Sequence, residues 1–223
     1  MSGTPSRASH DPTPTSGGCS VANALILADP SSAGGHCPPT REAHDGTATP
    51  ASANGFLRVA FTRAGRRPPE EWVRAARTTE SSVFVVDATP CSGGSDTTDA
   101  DEYDRISTLD AVSPDNLTDV GVRITEALDR IEAERPSTDA DHGVVCCLGS
   151  LTALLQYVDD RRAYRFVNAV TSRVATHGGV VHAHLRPALH DRQTVDTMAS
   201  LFDAVAEPSA DGDGLDVIRR RHR

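Results

Sequence analysis

The chain contains no lysine. All 22 of its basic residues are arginines, set against 31 aspartates and glutamates, for a net charge of -9 over 223 residues. An acidic surface of this kind binds hydrated cations and resists salting-out, the use halophiles make of net charge. The same field works against broad nucleic-acid binding, which depends on neutralising phosphates. Aromatics are also scarce, with five Phe, three Tyr and one Trp, so the core must be built from Ala, Val, Leu and Ile. Cysteine is present in an odd number, as Cys19, Cys37, Cys91, Cys146 and Cys147, with no C-x-x-C pair among them. Cys146 and Cys147 are neighbours in a strand-like run, where successive side chains point to opposite faces and cannot readily share a metal. The set reads as reduced cytoplasmic cysteine without a disulfide framework. No run approaches the roughly 18 apolar residues that cross a bilayer, and the opening "MSGTPSRASHDPTPTSGG" has no apolar stretch of the secretory kind. The expectation is a soluble cytoplasmic protein with no membrane partner.

What is there alternates between two patterns. Residues 1–20 are rich in Pro, Ser, Thr and Gly and read as a disordered tail. Short apolar runs bounded by turn residues predict strands at Asn23–Asp29, Phe56–Thr62, Ser82–Ala88, Gly143–Leu148 and Gly179–Leu185. Between them lie helical patterns. "PPEEWVRAART" starts on proline with acids in its first turn. The segment from Ser113 is read with Ser113 as N-cap and Pro114 as first helical residue, and Pro136 marks its end. Asp160–Thr176 turns Ala163, Phe166, Val167, Val170 and Val174 inward. A last helix is expected from Asp191 to Ala206. Strands alternating with helices predict a three-layer α/β sandwich, a mostly parallel sheet covered on both faces. The domain is expected over 21–207, with 208–223 a flexible tail that ends in "RRRHR".

Ligands of such sheets bind beyond the carboxyl ends of the strands, and three strand ends decide whether this one handles nucleotide. A phosphate-binding loop needs G-x-x-x-x-G-K-[ST] after the first strand, its glycines for close backbone approach, its lysine for the outer phosphates and its hydroxyl for magnesium. The matching window is "DPSSAGGH". Gly34 keeps the second glycine, while Asp29, Gly35 and His36 replace the first glycine, the lysine and the hydroxyl residue. The second strand end, Thr62 followed by Arg63-Ala64-Gly65, carries no acid to orient a water. The third should carry a magnesium-binding aspartate, and in "VVCCLGSLT" that place is Gly149, followed by Ser150.

"VVCCLGSLTALLQYVDDRRAYRFVNAVTSRV" and "GGVVHAHLRPALHDRQTVDTMASLFDAVAE" together resemble a haloarchaeal family of uncharacterised domains that is itself similar to RecA and the KaiC-type ATPases. The resemblance spans about Asn23 to Glu207 and is densest from Gly143 onward. It implies a RecA-like core. Related members commonly keep an aspartate where this chain has Gly149, so the resemblance also implies an active site that has been worn away.

One cluster offers different chemistry. His182 and His184 lie two apart on a strand and so share a face, and His190 and Asp191 follow after a turn at Pro187. Imidazoles with a carboxylate suit zinc. The alternative is that Asp191 caps the next helix and that the histidines bond loop backbone at the sheet edge. Ser150 has no nucleophile elbow around it and reads as a cap. The reading with most support is a non-catalytic regulatory or interaction module, without a cofactor and with a protein partner or a second copy of itself. A nucleotide sensor without hydrolysis (ATP) and a metal-binding protein (zinc) are the alternatives.

Overall fold

The structure, a computed structural model, describes residues 23–28, 53, 55–90, 106–134, 143–209 and 215–220. Eight strands are formed by these residues: β1 (Asn23–Ile26), β2 (Gly55–Ala60), β3 (Ser82–Asp87), β4 (Ile106–Asp110), β5 (Val144–Leu148), β6 (Val180–His184), β7 (Ala204–Pro208) and β8 (Leu215–Arg220). Five α-helices accompany them: α1 (Glu70–Thr79), α2 (Leu117–Ala133), α3 (Leu151–Leu154), α4 (Asp160–Thr176) and α5 (Arg192–Ala199). The strands make one sheet in the order β4-β3-β2-β5-β6-β1-β7-β8. Every pairing is parallel except β7 with β8. The three-layer, mostly parallel α/β architecture expected from the sequence is present.

Each face of the sheet has its own core. On one, α2, α4 and α5 bury Ile124, Leu128, Phe166, Val167 and Met198 against Leu25, Leu57, Phe84 and Leu148. On the other, α1 buries Trp72 and Ala76 against Phe56, Val83 and Val145. Phe56 and Trp72 meet with ring centroids 5.3 Å apart. The five residues of α4 read as inward are all buried. That helix ends on Gly178 at φ +65, the left-handed geometry that glycine adopts without a Cβ penalty.

The first strand lies deep in the sheet. β1 pairs with β6 on one side and β7 on the other. Asn23 fastens that position. Its side-chain Oδ1 accepts the Val181 N–H at 2.9 Å, and its own N–H donates to Asp203 Oδ2 at 3.0 Å.

Three expectations are corrected and one strand is added. The last helix stops at Ala199, and Ala204–Pro208, read as its end, is strand β7. Residues 215–220, expected within a flexible tail, are strand β8. Ile106–Asp110 is an edge strand that the sequence reading left unassigned. The cap of α2 is Asn116, whose Oδ1 accepts the Asp119 N–H. Ser113 and Pro114 instead belong to the preceding turn, closed by the Asn116 N–H on the Ser113 carbonyl at 3.1 Å.

Candidate functional site

The carboxyl ends of the central strands define the place where this architecture binds ligands. After β1 the described chain reaches Ala28, and Asp29, Gly34, Gly35 and His36 lie outside the described residues. After β2, Thr62 caps the short turn Arg63–Arg66 by accepting the Gly65 N–H at 3.2 Å. Its hydroxyl therefore serves the backbone.

After β5 the chain passes so close to β2 that only glycine fits. The Gly149 N–H donates to the Val59 carbonyl at 2.8 Å. A Cβ at Gly149 would stand 2.7 Å from that same carbonyl oxygen. A backbone atom cannot swing aside as a side-chain tip can, so any side chain here must displace one strand end from another. Ser150 follows as the cap of α3, its hydroxyl accepting the Ala153 N–H at 3.1 Å.

The histidines are divided. His182 and His184 share one face of β6, are 2% exposed, and sit in mid-sheet between β5 and β1, which corrects the expectation of a sheet-edge position. His190 turns elsewhere: its Nε2 is 3.0 Å from Thr152 Oγ1, which also accepts the Arg186 N–H at 2.9 Å. Asp191 caps α5 through the Thr194 N–H at 2.7 Å. Among the described residues, no group of three or more His, Cys, Asp or Glu side chains is placed to hold a metal ion.

The Asp191 cap has a pH signature. The Thr194 backbone N–H, and after it the Thr194 hydroxyl, hold the Asp191 carboxyl below the ordinary aspartate value. A group depressed in the folded state stabilises above its unfolded pKa and loses that contribution as pH falls through the folded value. Asp191→Asn, which can cap without ionising, is expected to remove this acid-side dependence while keeping α5. Asp191→Ala should lose the cap at every pH. Urea unfolding of the three proteins at neutral and acidic pH checks both expectations.

Two features of the sheet were not anticipated. Asp87, the last residue of β3, is 4% exposed and pairs with Arg66 Nε at 2.7 Å. Its other oxygen accepts the Thr89 N–H at 2.9 Å, and Arg66 also donates to the Thr89 hydroxyl. Both carboxylate oxygens are thus engaged. Asp87 also lies four strand spacings from β1, about 19 Å at the usual inter-strand distance, too far to serve a phosphate held there. The sequence signal was an acid closing an otherwise apolar strand. Within β2, Arg58 is 5% exposed. It donates from Nε to the Gly65 carbonyl at 2.6 Å and from Nη1 toward Cys147 Sγ at 3.6 Å. Its signal was a lone arginine inside an apolar run.

No curated protein matches the chain. Among solved structures, it is similar to a KaiC-like protein of the hyperthermophilic archaeon Pyrococcus horikoshii OT3, at 11% identity over 91% of this chain and 82% of that one, with a TM-score of 0.43. So distant a likeness says nothing about activity. A family profile matches residues 23–208, nearly all of the described chain, and so the protein belongs to DUF7504, a family of unknown function.

Proposed function

We propose that this is a RecA/KaiC-like domain that has lost nucleotide hydrolysis and acts as a regulatory or protein-interaction module in the cytoplasm of a salt-adapted cell. The observation that carries this reading is Gly149. The strand end that should present a magnesium ligand has a backbone approach that leaves no room for any side chain. Around it, Thr62 and Ser150 spend their hydroxyls on backbone N–H groups, and Asp87 is neutralised by Arg66. These groups at the ends of β2, β3 and β5 are thus engaged in holding the fold, which supports a non-catalytic reading. The partner is a second copy of this chain or another protein, since an acidic surface is a poor match for nucleic acid.

Thermal unfolding with increasing Mg-ATP in molar potassium chloride tests the reading. No saturable rise is expected, while a working RecA-type ATPase in the same buffer should respond. A ligand that binds the native state raises its unfolding midpoint by mass action, so saturable stabilisation would overturn the proposal in favour of a nucleotide sensor. Light scattering in that buffer, alone and with cell extract depleted of this protein, reads the second half. A strictly monomeric chain that gains no partner would leave the interaction role unsupported.

A further inference from the structure

A buried row of polar side chains crosses the α1 face of the sheet. Arg58 on β2 is in register with Cys147 on β5, and Cys147 with His182 on β6. All three are at most 5% exposed. An arginine keeps its charge in proteins, and a buried charge without a counter-ion is costly. Yet no ion pair among the described residues includes Arg58. Among the described residues, it donates to the Gly65 carbonyl and toward the Cys147 sulfur. The nearest buried carboxylate along this face, Asp87, is already paired with Arg66. Among the described partners of Arg58, only the sulfur can acquire a negative charge.

We propose that Cys147 is carried as a thiolate, the counter-ion of buried Arg58, and that this sulfur is the site at which a small neutral hydroperoxide oxidises the chain. Cationic neighbours favour thiolate, and the thiolate is the nucleophile. In register with it on this face stand Arg58 on β2 and His182, a titratable group, on β6; the Arg66–Asp87 pair lies beyond Arg58, on the β3 side. In the reaction the sulfur attacks one oxygen of hydrogen peroxide and the O–O bond breaks. Sulfur is oxidised by two electrons to the sulfenic acid, and hydroxide leaves to take a proton from solvent. Since the sulfur is fully buried, oxidation requires an opening on the α1 face that admits peroxide while Arg58 stays beside the sulfur, and it proceeds at the rate of that opening. Cys146 is the internal control. It points into the opposite core, where burial, followed by the neighbouring Cys147, pushes its thiol well above the ordinary range.

The test begins with the intact chain in molar potassium chloride. At about pH 6.5, two units below the ordinary thiol value, the folded chain should show ultraviolet thiolate absorbance that the unfolded chain lacks. Cys147→Ser should abolish it, and Arg58→Met should cut it about tenfold or more, one pKa unit being worth tenfold. If either variant fails to fold, the folded-minus-unfolded difference of the native chain still decides, because the measurement needs no access to the sulfur. Absence of that difference overturns the thiolate, and survival of the band in folded Arg58→Met overturns the counter-ion. After peroxide, a sulfenic-acid-specific label should map to Cys147 and spare Cys146. Labelling of both or neither overturns the oxidation site.

Discussion

Gly149→Asp, the substitution that would place a carboxylate at the end of β5, is expected to destabilise the fold by about 3 kcal/mol or more and to confer no ATP hydrolysis. Overpacking a tight contact costs about 1–3 kcal/mol. Here the new Cβ would meet the Val59 carbonyl oxygen at 2.7 Å, and the main chain must move. The added carboxylate then carries a negative charge beside a carbonyl dipole of the same sign, at a buried position, which adds a desolvation cost. The Gly149 N–H bond to Val59, at 2.8 Å, would be strained by the same displacement. Chemical denaturation and a phosphate-release assay on one preparation read both halves. A variant that stays as stable as the parent would show that β2 and β5 can separate at this end. A variant that hydrolyses ATP would overturn the reading of the domain as non-catalytic.

The second large effect is expected at Trp72, the chain's one tryptophan. It is fully buried and packs against Phe56. In a chain poor in aromatics this pair dominates the core on the α1 face, whose other members include Ala53, Ala76, Val83, Val145 and Val180. Small neighbours leave little to collapse into the space a missing indole would vacate. Trp72→Ala is therefore expected to cost about 3–5 kcal/mol, the range for deleting a large aromatic from a core. At about 2–4 °C per kcal/mol for a chain of this size, the unfolding midpoint should fall by roughly 6–20 °C. Trp72→Phe should recover much of the loss. Circular dichroism melts in molar salt check the pair, and a fall of only a degree or two for the alanine variant would contradict a tight core on this face.

Where the sequence was legible, the reason is physical. β2, β3, β5 and β6 are buried on both faces, and such strands read as unbroken apolar runs. The inward stripe of α4 obeys helical spacing over its whole length. β4 escaped notice because it is an edge strand whose Ser107, Thr108 and Asp110 face solvent. The α5–β7 boundary was missed because Val195, Met198, Leu201, Phe202 and Val205 keep a helical spacing straight through the turn at residues 200–203, and periodicity alone cannot see a backbone change direction. Ser113 and Asn116 are both good caps, and nothing local chose between them.

The candidate site was legible as a set of absences, since Gly149 can be read off directly. That Gly149 is held there by the Val59 carbonyl is a fact of two strands meeting. The pairing of Asp87 with Arg66, and of Arg58 with Cys147, joins residues 21 and 89 positions apart by subtraction of their numbers. Strand register brings Arg58 to Cys147, and the turn after β2 brings Arg66 to Asp87; no spacing rule spans either interval.

The placement of β1 bears on how the protein is made. A ribosome delivers Asn23–Ile26 ahead of the other described strands, but those that flank it, β6 and β7, come some 150 and 180 residues later. Until then its backbone lacks the two described strands it pairs with, and the Asn23 side chain cannot reach Val181. The nascent chain can assemble β2, β3, β4 and β5 as a smaller sheet while its first strand waits. Closure comes only when the last quarter of the chain emerges and inserts that waiting strand. A stall before Val180 would leave β1 as an unpaired apolar edge for whatever chaperone or neighbouring strand met it first.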